Sequence, residues 1–105
     1  MLILPIKKKW FDMIKSGEKK EEYREIKPYW TNRFLNNLKD ENIELNNIFL
    51  IEKAKGTVIF QNGYQKNVPK IKCKIELKID IGKTEWGAEP NKLYYVLKIL
   101  SVEEV

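Results

Sequence analysis

Residues 71 to 81 read IKCKIELKIDI, apolar at every odd position and charged at every even one. Side chains of a strand alternate faces, so this run predicts one long strand with a buried and a wet face, as in antiparallel sheet. Cys73 falls on the apolar side and reads as a small buried hydrophobe. Residues 93 to 100, LYYVLKIL, are apolar enough for a central strand covered on both sides. In TVIFQNGYQ, Asn62-Gly63 sits between β-formers and predicts a hairpin with a type I′ turn, which needs φ > 0 at both central residues.

The first third alternates differently. LILPI, residues 2 to 6, reads as a short buried strand, with Pro5 pointing to a sheet edge or strand end. Residues 7 to 16 follow as a helix, with Ile6, Trp10, Met13 and Ile14 on one side and Gly17 at the stop. Trp10 is expected in the core. KKEEYREI, residues 19 to 26, is short enough to be a strand, whose alternation would put Lys20, Glu22 and Arg24 on one face and Glu21 and Tyr23 on the other. Pro28 is a natural first helical residue, and Trp30, Phe34 and Leu38 then recur every fourth position with Leu35 beside them. Arg33 lies off that stripe, free to face a ligand. Residues 36 to 47 are polar and Asn-rich, a loop or frayed helix end, and from Ile48 onward the chain turns to strands.

Strands dominate, with two helices early. The expected fold class is α+β, a single domain over residues 1–105 whose sheet curls into a small barrel, because short strands need closure or cover to hide their edges.

Composition narrows the chemistry. With 33% charged residues and a mean hydropathy of -0.50 the chain reads as soluble, and no apolar run approaches the roughly 18 residues of a membrane span. MLILPIKKK places its apolar stretch before its lysines, the reverse of a secretory signal, so a cytoplasmic location and no membrane partner are expected. One cysteine and no histidine exclude an intramolecular disulfide, a Cys/His zinc site and imidazole catalysis; neither metal nor cofactor is expected. The net charge of +5 is uneven: residues 6 to 33 hold nine Lys/Arg against five acids, and residues 66 to 83 hold six against two. Brought together, these segments would form one basic face attractive to phosphates; kept apart, two solvated faces.

The mixed charges of residues 19 to 27 can pair with one another on a solvated surface, or present donors and an acceptor to a ligand. Two further features bear on the choice. GEKKEEYR fits G-x-K-x-x-E-x-R through Gly17, Lys19, Glu22 and Arg24, directly after a short strand and helix, and this resembles the ASCH domain family, relatives of the PUA β-barrel. KPYWTNR, FQNGY and EWGAEPNKLYYVLKI also look like segments of short, single-domain members found in bacterial and phage genomes, so the resemblance spans nearly the whole chain. It implies a PUA-like, mixed but largely antiparallel barrel flanked by helices, with a cleft bordered by the motif strand and RNA or a nucleotide-like molecule as partner.

On that reading the ligand contacts are Lys19, Lys20, Glu22, Arg24, Lys27, Tyr29, Arg33, Asn62, Tyr64, Glu85 and Trp86. Arg24 would offer bidentate contacts to a phosphate or base edge, and Glu22 would accept from an exocyclic amine. Tyr29, Tyr64 and Trp86 are stacking candidates, although an aromatic residue near a turn or helix start more often closes the end of a core than stacks on a base. One small ASCH enzyme type hydrolyses N4-acylated cytidine with a lysine, a threonine and a glutamate. Its lysine matches Lys19, but Glu22 occupies the threonine position, and Glu85 is the candidate for a glutamate the motif does not place. Three functions follow: a nucleotide- or RNA-binding module; a nucleoside amidohydrolase with Lys19 and Glu22 catalytic; or a structural or protein-interaction domain.

Overall fold

The computed structural model describes residues 1–38 and 54–105. In chain order the elements are β1 (Leu2–Ile6), α1 (Lys8–Ser16), β2 (Glu21–Glu25), α2 (Pro28–Asn37), β3 (Lys55–Asn62), β4 (Lys70–Ile81) and β5 (Leu93–Glu104), with a short 3₁₀ turn at Thr84–Trp86 before β5. The strands form one sheet in the order β1-β3-β4-β5-β2. β1 runs parallel to β3 and every other pair is antiparallel. This is a curled, mixed α+β half-barrel, open between β1 and β2.

The alternation of residues 71 to 81 becomes β4, with Ile71, Cys73, Ile75 and Leu77 buried and Lys72 and Lys74 exposed. β5 is an interior strand covered on both faces. Tyr95 and Leu97 join the main core with Phe34, Phe60 and Ile14, while Tyr94 and Val96 enter a second cluster with Tyr23, Trp86 and Ala88. Burial of this kind stabilises by roughly 1.5–3 kcal/mol for each large apolar side chain removed from water. Pro5 does lie on an edge strand, where a missing N–H breaks no ladder.

α2 docks by its expected stripe, whereas of the stripe expected on α1 only Ile14 is fully buried: Phe11, outside that stripe, is buried, and Trp10 and Met13 are half-buried. α1 buries Phe11 and Ile14 and ends at Gly17 with φ 85°. α2 starts at Pro28 and seats Phe34 edge-on against Tyr95, ring centroids 5.2 Å apart. Trp10, expected in the core, is only half-buried: it packs against the core and also faces the open side of the sheet.

Two local expectations are corrected. The hairpin joining β3 to β4 exists, but its connection runs over residues 63–69, and Gly63 (φ 94°) has positive φ while Asn62 does not. Gln61 replaces the tight turn with a bracket: its buried amide donates to the carbonyls of Gly63 at 2.8 Å and Gln65 at 3.4 Å. The motif strand, expected over residues 19 to 26, runs only over Glu21–Glu25. Lys20 is exposed, its ammonium folded back toward Gly17, and Lys19 is buried instead. The chain between α1 and β2 is held by Lys19 N–H donating to the Met13 carbonyl at 2.9 Å, and that turn rotates Lys19 inward. The strand expected from Ile48 is seen from Lys55; positions 48–53, and the polar segment after Leu38, lie outside the described residues.

Candidate functional site

A cleft of about 820 Å³ occupies the seam where the sheet fails to close. β1 forms one wall and residues 22–24 of β2 the other, and Arg24 Nη2 reaches across toward the Pro5 carbonyl at 3.5 Å. The ends of α1 and α2 and the segment at Trp86 complete the lining.

At its base Glu22 is clamped between two cations. Its Oε1 lies 2.8 Å from Lys19 Nζ and its Oε2 2.6 Å from Arg24 Nη1, with all three side chains largely withdrawn from solvent. Lys19 Nζ also donates to the Trp86 carbonyl at 2.7 Å and sits 4.2 Å from the centre of the Trp10 ring. Arg24 Nη1 donates to the Tyr23 carbonyl at 2.7 Å as well. No buried side-chain polar atom among the described residues is left without a partner. Such completeness is what makes a buried charge cluster tolerable, since an ion stripped of water and left unpaired costs several kcal/mol.

Burial lowers the proton affinity of Lys19 below the ordinary lysine value, and the adjoining Glu22 carboxylate pulls the other way without reversing it. Tyr23, beside the clamp, is shifted upward, chiefly by burial; its hydroxyl donates to Glu21 at 2.9 Å and accepts from the Lys83 amide at 2.9 Å. Its hydroxyl is thus held between Glu21 and the Lys83 amide, and the ring forms part of the cleft wall.

Cations stacked on aromatic rings line the upper cleft. The Arg24 guanidinium lies 5.1 Å from the centre of Trp30, and that of Arg33 lies 4.2 Å from Tyr29. Among the described residues, Lys7, Lys8, Lys19, Arg24 and Arg33 line the cavity against Glu22 as the one acid, so the field of that lining is cationic. All five come from the first basic segment; no lysine of residues 66 to 83 lines the cleft, and the two segments do not merge there.

Of the residues expected at a site, Lys19, Glu22, Arg24, Tyr29, Arg33, Tyr64 and Trp86 meet at this cleft. Tyr64, 88% exposed, stands at its rim. Lys20, Lys27, Asn62 and Glu85 do not line it. Lys27 pairs loosely with Glu25 on the surface at 3.9 Å, and Glu85 is exposed on the 3₁₀ turn, so the glutamate sought for a hydrolase does not reach Lys19. Glu22, expected to accept from a ligand, already accepts from Lys19 and Arg24 through both oxygens.

Sequence reading passed over Trp10, Trp30, Lys7, Lys8 and β1 itself as lining. Spacing along a helix cannot tell a tryptophan that faces a cleft from one in a core. The place of β1 opposite β2 follows from its parallel pairing with β3, a long-range choice with no local signal.

No group of three acidic or cysteine side chains able to hold a metal occurs among the described residues, and no helix among them is long and apolar enough to cross a membrane. Comparison with known proteins finds no matching family model, no matching curated protein and no matching solved structure.

Proposed function

We propose that the chain is a PUA-like domain of the ASCH type that binds single-stranded RNA, or a single modified nucleotide, in the seam between β1 and β2. The observation that carries this reading is the convergence of the Lys19–Glu22–Arg24 clamp with Trp30 and Tyr29 in one cationic cleft of about 820 Å³. That volume lies within the range of small-molecule sites. Its rings and guanidinium planes match what unpaired bases stack on, and its exposed cations match phosphate. The clamp positions: with both carboxylate oxygens engaged, Glu22 orients Lys19 and Arg24 rather than acting as an open acceptor.

Fluorescence anisotropy with a labelled single-stranded RNA octamer tests the proposal. Binding should weaken with salt, log K falling against log salt by about 0.7 for each phosphate neutralised. Lys7→Ala and Arg33→Ala, both at exposed side chains, should each reduce that slope by about 0.7 and leave the melting temperature unchanged. No binding at low salt, or a flat salt dependence, would overturn it.

One observation favours a second reading. Lys19 is buried with a lowered proton affinity, as a lysine acting on a substrate would be. Turnover of N-acylated nucleosides, abolished in Lys19→Met, would support hydrolysis.

A further inference from the structure

β1 lines the cleft along its whole length, and its backbone has a free side there. In a strand the N–H and C=O of one residue point the same way and those of the next point oppositely. The Ile6 carbonyl accepts from the Gly63 amide at 2.9 Å on the β3 side, so Leu2, Leu4 and Ile6 serve β3. Ile3 and Pro5 therefore turn their backbone groups into the seam, in agreement with the reach of Arg24 Nη2 to the Pro5 carbonyl.

That edge is nearly blank. Pro5 has no N–H, and its carbonyl faces Arg24. Ile3 keeps one donor and one acceptor side by side, with no partner among the described residues. A peptide strand docking here would meet a gap at Pro5 and find two hydrogen bonds, too few for the row of main-chain bonds that strand addition depends on. A planar heterocycle needs only two. Unpaired bases are read on their pairing edges, each of which offers a donor beside an acceptor. Across the seam, on the β2 wall, stands Arg24, its guanidinium over the Trp30 ring, a surface for the face of such a heterocycle.

We infer that the main chain of Ile3 reads the pairing edge of the bound nucleobase, the Ile3 N–H donating to it and the Ile3 carbonyl accepting from it, while Arg24 and Trp30 take its face. This rests on the nucleotide-binding reading above and names which part of the ligand enters the seam. Side chains at β1 are then secondary, and the sequence identity of Ile3 carries little of the recognition.

Proline scanning tests it. Ile3→Pro removes the amide and Ile3→Ala keeps it while removing most of the side chain. With a labelled oligouridine octamer, Ile3→Pro should bind about tenfold more weakly than wild type, with an unchanged melting temperature, and Ile3→Ala should bind within about threefold. The N3-methyluridine octamer, whose pairing-edge donor is blocked, should bind wild type about tenfold more weakly than oligouridine. If wild type binds no octamer, both readings fall. If wild type binds but Ile3→Pro binds equally well, or if methylation has no effect, the base is not read at Ile3 and only this inference falls. Unfolding of Ile3→Pro would also overturn it, by showing that the amide serves the sheet, as would displacement of the octamer by an unstructured heptapeptide.

Discussion

At the scale of single residues, Glu22 is the centre of gravity. It neutralises one of two adjacent cations and touches both, so its loss strands Lys19 at 1% exposure beside Arg24. Glu22→Ala should cost about 3–5 kcal/mol in urea denaturation, the range for breaking a buried pair from one side. Adding Lys19→Met should restore part of that stability, because the remaining cation, Arg24, is nearer solvent. Cys73 gives a second prediction at this scale. Burial pushes its thiol up from 9.0 to about 12, which means the folded state favours the neutral form. Its contribution is complete below pH 9.0 and drains away as pH climbs toward 12, by up to about 1.4 kcal/mol per pH unit. Lys19 acts in the opposite sense: its folded value is lowered, so stability linked to it rises with pH below 10.5. Cys73→Ala should therefore flatten the alkaline loss of stability, measured as melting temperature from pH 8 to about 11. The clamp was legible in part. Strand alternation groups Glu22 and Arg24 with Lys20, and only the resemblance to the G-x-K-x-x-E-x-R motif brings in Lys19; the pairing of Glu22 with both Lys19 and Arg24 depends on where the strand begins.

Elements show where local pattern decides and where it yields. β4 and α2 obey their periodicity because each has one face to bury and neighbours that accept it. The β3–β4 hairpin does not use the Asn-Gly turn its sequence advertises, since Gln61 can bracket a longer loop and local turn preference is then overridden. The junction after β4 is tighter than any sequence rule implies. A Cβ on Gly82 would stand 2.6 Å from that of Ala88 and 2.9 Å from the Tyr23 ring. Gly82→Ala should accordingly destabilise by about 1–3 kcal/mol in denaturant titration, through overpacking rather than backbone strain. It should also weaken the proposed RNA binding, because the ring it displaces is a wall of the cleft.

Over the whole molecule, the decisive feature is incomplete closure. A sheet of five strands curls far enough to bring its edges to either side of one cleft, yet not to pair them. Protection from amide exchange should follow that geometry. Residues 95–97, interior and covered on both faces, should exchange most slowly, whereas Ile3 should exchange quickly beside a protected Leu4. Equal protection of Ile3 and Leu4 would show that β1 has a partner on its outer side.

Sequence alone settled the α+β class, the buried face of β4 and the interior place of β5, because each follows from side-chain period over a few residues. Tertiary structure decided that β1 pairs with β3 in parallel and stands across from β2, that Lys19 rather than Lys20 turns inward, and that the cationic lining comes from one basic segment alone. Those are contacts between residues far apart in the chain, selected by how the core packs and how charges find partners, and no local pattern encodes them.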